Sequence, residues 1–451
     1  MVIICNVAEW NKVNLNLLAS TISPNALILN TSSFRQFDEL NVINEFYNNM
    51  KKDYKYNPKN KIENEDEEII NRCRVLRLLN KDEAKKKVSL MRLSILKVLE
   101  SQSVDLVISE LVDQYFHDIL VREAKKLNID VFSPIQTFVN GYSRLTLYGE
   151  NQIVRIPDEE EVSAVSKQLD KQNYEPNYVK DLKVSNYGEH LKRVFKNMLR
   201  FIFFNFKLLN PRDKYDYHYL ASSKGILRYS SIFKIIDFKA NSNWESKLSD
   251  SLKLKIYVPL VCFPEATIDY WCANIEVIDI ENVFLKTLLK LSKKFTVVIK
   301  EHPSAIGFRN PNFIKKINSI LCDDILCVPS KTSSNLIVTK VNGVFVWAGS
   351  AGFEAAYRGK PVFTMGHPYY SSGRFFYNVN LQTNLDEFEN FINKCEKYPI
   401  TKSEKNELVR HLLSGFIKGF YRNDGSYNDN NEIHKTEIIT LANNISKHFF
   451  K

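Results

Sequence analysis

Apolar residues along the chain fall into short β-like runs separated by stretches with helical spacing. Residues 2–5 (VIIC) and 26–29 (ALIL) are runs of the first kind, with a helical-looking stretch between them. From residue 34 to 99 the pattern turns helical and highly charged. Within it, residues 59–68 are mostly Lys, Asn, Asp and Glu, the pattern of a solvated loop or helix face. Residues 104–109 (VDLVIS) predict a strand, 115–127 (YFHDILVREAKKL) a helix, and 130–132 the start of the next strand. Strand, helix and strand at these lengths make the βαβ unit of a parallel sheet.

The rhythm breaks between about residues 155 and 250, where acidic 159–161, polar 173–178 and the aromatic, basic stretch 189–209 follow one another. It resumes at the strand 255–261 (KIYVPLV). Then come helix 280–291, strand 296–300, helix 312–321, strand 325–328, helix 333–339, strand 343–347, helix 352–358 and strand 361–364. This is a second doubly wound α/β unit. The end, 433–451, reads as a helix that returns to the first half. The predicted organisation is an N-terminal α/β domain over 1–155, a helical, basic insertion over 156–252, a second α/β domain over 253–425 and a terminal helix over 426–451. In such sheets ligands bind beyond the carboxyl ends of the strands, so the expected site is a cleft between the halves.

Composition narrows the class only slightly. With 44% hydrophobic and 25% charged residues, the 451-residue chain is not a wholly disordered or low-complexity one. Lys and Arg number 62 against 52 Asp and Glu, a formal charge of +10. That surplus suits nucleic acid, anionic lipid or a phosphate-bearing substrate alike. Seven cysteines without a CxxC pair argue against a disulfide framework or a zinc cluster, and so for a reduced, cytosolic compartment. The first residues lack a basic region followed by a long apolar core, and no apolar run approaches the ~20 residues of a membrane span. A cytoplasmic location is the expectation.

Candidate chemistry clusters at predicted strand ends. Gly349-Ser350-Ala351-Gly352-Phe353-Glu354 follows a strand and opens a helix. Its glycines allow close backbone approach, and the free N–H groups of a first helical turn suit a phosphate. Ser350 can cap the helix or donate to a phosphate oxygen. Glu354, one turn on, is placed to accept bonds from ribose hydroxyls. A plain Gly/Ser helix start with a surface glutamate fits this segment equally well. Lys300-Glu301-His302-Pro303 ends another strand, where His302 can donate to a phosphate oxygen; taken alone, it reads better as a satisfied structural histidine. Glu265 in the Pro264–Thr267 stretch, and Ser330, Ser333 and Ser334, follow two further strands. Four neighbouring strand ends carrying such groups point to a site more strongly than any one alone.

These residues resemble a known family. Strand-PEAT, strand-KEHP, and GSAGFEA followed by RGKPVF and GHPYY look like the capsule and surface polysaccharide biosynthesis proteins, bacterial glycosyltransferases of the GT-B fold related to capsular Kdo transferases. The likeness covers about 256–376 well; the first half matches only in style. It implies a GT-B-like α/β architecture, two Rossmann-like doubly wound domains facing a cleft. It also implies that His302, Ser350 and Gly352 hold the donor's phosphates and Glu354 its ribose. Ala351 stands where many relatives have Ser or Thr. A donor site of Glu265, His302, Pro303, Ser330, Ser333, Ser334, Gly349, Ser350, Ala351, Gly352 and Glu354 follows, for a CMP- or UDP-linked sugar such as an ulosonic acid. Neither metal nor cofactor is implied; Asp323-Asp324 reads as a solvated turn. Lys300 or Arg374 could then help neutralise the leaving phosphate.

Transfer also needs a base for the acceptor hydroxyl. Glu110 or Asp113, after the strand 104–109, are the candidates, with His117 a third. Capping of the helix that begins near Asp113 is the alternative reading of these carboxylates. Gln136, Asn140 and Arg144 are candidates for the acceptor side, where a saccharide or lipid-linked saccharide would bind. In 189–209, Lys192, Lys196, Arg200 and Lys207 share a helical face, while Phe195, Met198, Leu199, Ile202 and Phe206 lie elsewhere around it. That pattern suits peripheral contact with an anionic membrane, or packing on the protein's own surface. Two competing classes remain: a teichoic-acid-type polyol-phosphate transferase using a CDP-polyol, and a non-catalytic sugar or nucleic-acid binder. The Ser/Gly–Glu helix start disfavours the last, so no nucleic-acid partner is expected.

Overall fold

A computed structural model of the chain describes residues 1–7, 11–33, 38–51, 64–171, 174, 176, 195, 198–199, 202–203, 205–207, 209, 238–261, 266–272, 275–302, 305, 309–422 and 432–449. They divide into two compact units. The first gathers the described residues of Met1–Ile156, Phe203–Lys224 and Leu413–Lys451; the second gathers those of Pro157–Ile202 and Gly225–Leu412.

In the first unit, strands β1 (Val2–Asn6), β2 (Leu27–Thr31), β3 (Leu106–Ile108) and β4 (Asp130–Phe132) form a parallel sheet in the order β2-β1-β3-β4. The apolar runs of β1 and β3 are buried, as strands covered on both faces require. Helices α1 (Lys12–Ile22), α2 (Val42–Lys51), α3 (Asn64–Arg72), α4 (Lys81–Ser101) and α5 (Tyr115–Lys126) supply the layers. Ile4 and Val107 pack against α2 to α5 on one face. Ile3, Cys5, Leu106 and Ile108 pack on the other against α1 and the terminal helix Glu432–Phe449, through Leu441, Ala442 and Ile445. The terminal helix thus returns to the first unit, but the return starts earlier than the predicted boundary. The strand Phe416–Lys418 already pairs antiparallel with β6 (Tyr142–Leu145), which pairs with β5 (Pro134–Gln136).

The acidic run corrects one expectation. Glu65, Asp66 and Glu68 are not simply solvated. Asp66 pairs with Arg92 of α4 at 2.5 Å, Glu68 with Arg122 of α5 at 3.2 Å and Glu65 with Lys126 at 2.7 Å. Partners so distant in sequence cannot be read from a local charge pattern.

The second unit holds six parallel strands: β7 (Lys255–Pro259), β8 (Thr296–Lys300), β9 (Ile325–Val328), β10 (Gly343–Val346), β11 (Val362–Thr364) and β12 (Phe376–Asn378). Their order is β12-β11-β10-β7-β8-β9. The chain runs outward from β7 to β9 and then returns to β10 on the other side of β7. Strand order reverses between β7 and β10, the kind of point where open α/β sheets bind ligands. Of the mid-chain segment, α6 (Glu159–Leu169) packs on this unit, where Tyr357 donates to the Ser166 carbonyl at 3.1 Å. The layers include α7 (Ile280–Leu291), α8 (Pro311–Ile320), α9 (Ser334–Lys340) and α10 (Ala351–Tyr357). Helix α8 is set by an Asn310 cap and Pro311 in its first turn. Phe284, Phe313, Phe345 and Trp347 centre the core. Both units are Rossmann-like. Among the described residues, no helix is long and apolar enough to cross a membrane.

Candidate functional site

The four strand ends singled out in the sequence belong to β7, β8, β9 and β10, which are consecutive neighbours across the reversal point. Lys300 closes β8. It is buried, and its ammonium donates to the Thr332 carbonyl at 3.2 Å. Burial lowers its pKa, while Glu354 and Glu301 act the other way. Glu354 sits in the first turn of α10. Burial raises its carboxyl pKa, opposed by Arg358 and Lys300. Its charge is also felt by the buried phenols of Tyr257 on β7 and Tyr370, whose pKa values rise chiefly by burial. Tyr257 lies 3.4 Å from the Ser334 hydroxyl at the start of α9. Glu354 is therefore not the plain surface glutamate of the alternative reading: it is partly buried and feels the charge of a buried lysine. Among the described residues its carboxylate accepts no hydrogen bond.

His302 follows two residues after Lys300. Its N–H donates to Glu301 Oε1 at 2.5 Å. Burial first, then Arg309 and Lys300, push its imidazole down to about 4, so the ring is neutral at pH 7. Ser350 occupies the N-cap of α10 but makes no capping bond, so the expected cap is not formed. The two glycines differ. A Cβ on Gly352 would meet the Tyr370 hydroxyl at 2.5 Å and Val346 Cγ2 at 2.9 Å, so packing alone demands glycine there. A Cβ on Gly349 would meet nothing within 4 Å. Gly349 is exposed, and its carbonyl accepts the Tyr370 hydroxyl. Ala351 opens the helix; Ser330 is partly buried and Ser333 exposed, without a capping bond. Glu265 and Pro303 lie outside the described residues.

Arg374 departs from expectation. Its guanidinium is engaged by Glu404 and the Tyr398 and Pro399 carbonyls, and stands over the Phe375 ring. A fork already filled on three sides is not offered to a phosphate. Asp323 and Asp324 pair with Lys247 and Lys253 in an exposed turn, as read from the sequence.

In the first unit, Glu110 follows β3 and is partly buried; Asn11 Nδ2 donates to its Oε1 at 2.9 Å. Asp113 is exposed and ion-paired with Arg74, and helix α5 begins after Gln114, so Asp113 caps nothing. Its charge is satisfied at the surface, whereas Glu110 is partly buried. His117 is buried between Gln114 Nε2 and the Leu111 carbonyl, each at 3.1 Å. With the Leu111 carbonyl taking Nδ1–H, Nε2 accepts from Gln114. Burial pushes the ring down to about 4, so His117 is a structural histidine. Arg144 also differs from expectation. It is fully buried on β6 and donates to the Gly149 and Glu150 carbonyls at 3.1 and 2.9 Å, so it ties a turn rather than an acceptor. Gln136 and Asn140 are partly exposed, and Gln136 Oε1 is buried without a hydrogen-bond partner among the described residues.

Sequence reasoning missed Asn11 and Tyr421. Asn11 precedes α1 yet makes no cap; its Oδ1 is buried without a partner among the described residues. The Tyr421 hydroxyl is likewise buried and unpartnered among the described residues, and its phenol feels the Glu110 carboxylate. An asparagine before a helix was a visible signal; Tyr421 had none, because the chain's return brings it there. In the 189–209 segment Lys192, Lys196 and Arg200 lie outside the described residues. Phe195, Leu199, Ile202, Phe203 and Phe206 are helical and exposed, Met198 is partly buried, and Lys207 stands 5.6 Å over the Phe203 ring.

Comparison with known proteins adds the following. A search of curated proteins finds no match. Among solved structures, the chain is similar to the β-Kdo 2,7-transferase of Thermosulfurimonas dismutans KpsC, at 13% identity over 98% of each chain with a TM-score of 0.39. It is similar to the β-Kdo 2,4-transferase of the same protein at 11% identity over 75% and 88%, TM-score 0.36. A UDP-GlcNAc 2-epimerase of Methanocaldococcus jannaschii, in complex with UDP-GlcNAc and UDP, follows at 11% over 92% and 98%, TM-score 0.28. The family model described as capsule polysaccharide biosynthesis protein matches residues 205–398, the span that contains β7 to β12 and every described donor-site candidate. Over this segment the chain is similar to the capsule polysaccharide biosynthesis proteins.

Proposed function

We propose that the chain is a glycosyltransferase that moves a sugar from a nucleotide-activated donor to a growing capsule or surface polysaccharide, or to a glycolipid. The observation that carries this reading is the Lys300–Glu354 patch beside His302, at the reversal point of the sheet inside the family segment. A carboxylate with no hydrogen bond to it among the described residues, beside a buried lysine, suits a ligand bearing both hydroxyls and phosphate. Glu354 accepts from the ribose hydroxyls. His302, Ser350 and the first turn of α10 meet the phosphates, and Lys300 neutralises the leaving phosphate. The donor is CMP- or UDP-linked, an ulosonic acid such as Kdo or a sialic-acid-like sugar.

Glu110 is the base that takes the acceptor hydroxyl proton, with Asn11 holding one of its oxygens. Gln136 and Asn140 contribute to acceptor binding. A thermal-shift panel across CMP, CDP, UDP and GDP tests the donor reading: stabilisation by CMP or UDP, lost in Glu354→Ala, is expected. A response to none of the four refutes it, and selective stabilisation by CDP favours a CDP-polyol donor instead.

The acceptor is lipid-linked, and the exposed apolar residues of 195–209 with their neighbouring cations make a peripheral contact with the inner face of the cytoplasmic membrane. At ~1 kcal/mol per cation near an anionic surface, four cations give reversible, salt-sensitive binding. Liposome sedimentation with Lys192, Lys196, Arg200 and Lys207 changed to Glu checks it; equal pelleting of variant and parent on anionic vesicles rejects it.

A further inference from the structure

Behind His302 lies a buried ion pair that the donor reading does not use. Arg309 donates Nε–H to Glu301 Oε2 at 2.9 Å and Nη2–H to Glu301 Oε1 at 2.7 Å. The same Nη2 donates to the Val261 carbonyl at 2.5 Å. Both side chains are almost wholly inaccessible, at 1% and 4% exposure. Val261 lies just past β7 and Glu301 just past β8, strands paired up to Pro259 and Lys300. The guanidinium therefore links two adjacent strand ends at the mouth of the sheet. Glu301 Oε1 accepts a third bond, from the His302 N–H at 2.5 Å. The Ala305 N–H donates to the His302 carbonyl at 2.9 Å, so both backbone polar groups of this histidine are held.

Buried ion pairs are weak devices for stability, because desolvation offsets their attraction. A bidentate fork is, however, a strong device for orientation. We propose that Glu301 and Arg309 are positioning residues for donor binding: together they fix the His302 turn so that its imidazole presents one N–H to the donor phosphate. This rests on the reading of His302 as a phosphate contact. Among the described residues, the charged groups facing His302 are Arg309 and Lys300, and behind them Glu301 and, through Lys300, Glu354. Burial, helped by the two cations beside the ring, keeps it neutral, which leaves Lys300 to carry the positive charge and His302 the direction. Arg309 thus acts on His302 twice, by shape through Glu301 and by charge directly.

The test uses the full chain with three variants: the double Glu301→Gln, Arg309→Met, which removes both buried charges together, the single Arg309→Lys, and His302→Ala. Calorimetry gives affinity for CMP and UDP at pH 7. NMR follows the His302 imidazole titration without nucleotide. In the double variant the titration should rise above about 4 but stay below 6.5, because burial and Lys300 still hold it down. Affinity for the tighter of the two nucleotides should fall about tenfold, one charge-assisted contact's worth. Arg309→Lys keeps the cation without the fork, so the titration should stay low while affinity still falls. A double variant that binds like the parent overturns the proposal. If the double variant does not fold, parental affinity in Arg309→Lys overturns it equally. Parental affinity in His302→Ala sinks the donor reading itself, a result distinct from His302→Ala weakening binding while the double variant does not.

Discussion

Acid should destabilise the first unit through His117, and the size of the effect follows from its surroundings. The ring is 4% exposed, accepts from Gln114, donates to the Leu111 carbonyl and packs edge-on against Phe116. Its pKa is pushed from 6.5 down to about 4 by burial, so the folded state binds the proton less readily than the unfolded chain. Stability from this group is fully present above pH 6.5 and drains as the pH falls from 6.5 to 4. A shift from 6.5 to about 4 corresponds to roughly 3 kcal/mol when complete, and to about 2 kcal/mol already at pH 5. His117→Gln keeps a donor and an acceptor but has no proton to gain. It should lose about 1–2 kcal/mol at pH 8 from the altered packing and hydrogen bonds. Between pH 8 and pH 5 it should then lose about 2 kcal/mol less than the parent. Urea unfolding followed by circular dichroism at the two pH values measures both. Parallel loss in parent and variant would show that His117 titrates normally. The structural assignment would then be wrong and its candidacy as a base would reopen.

Other outcomes follow from the same geometry. His302→Ala and Glu354→Ala should each weaken CMP or UDP binding by about ten- to a hundredfold, the loss of one charge-assisted bond at ~1.5–3 kcal/mol, without unfolding the protein; unchanged calorimetric affinity in both dismisses the donor site. Glu110→Gln should abolish transfer while nucleotide binding persists, since a base acts in the transition state, whereas Asp113→Asn should transfer normally; full turnover of Glu110→Gln removes it from the mechanism. Gly352→Ala should lower the melting temperature, because its Cβ falls 2.5 Å from the Tyr370 hydroxyl. Gly349→Ala meets open space and should leave the melting temperature alone but weaken nucleotide binding; equal melting temperatures for the two variants contradict the packing argument.

Much of the architecture was legible along the chain. The apolar runs of β1, β3, β7, β8 and β10 are what strands buried on both faces need, and helical spacing between them implied crossovers. Once strands and crossovers are known, the polar residues after each strand must gather at one edge, so Lys300, His302, Ser334 and Glu354 group together on the sequence alone. What local pattern could not carry was the partner of each charge. Arg374 and Arg144 looked as available as Lys300, yet Glu404 engages the first and two carbonyls the second. Asp113 and Glu110 stand three residues apart, but Arg74 satisfies one at the surface while the other is half-buried beside Asn11.

The sequence by itself therefore determined the periodic, short-range properties: which segments are strands, that the strands are parallel, and which loops carry phosphate- and sugar-capable groups. Tertiary structure alone decided which of those groups are desolvated, because burial and pairing depend on neighbours tens to hundreds of residues away. Glu354 is perturbed by Lys300 across three strands, and Tyr421 reaches Glu110 only because the chain returns to its first unit. Desolvation scales with the atoms packed around a charge rather than with its place in the chain. The chemistry of the site is thus a property of the fold, while the inventory of candidate residues was already present in the sequence.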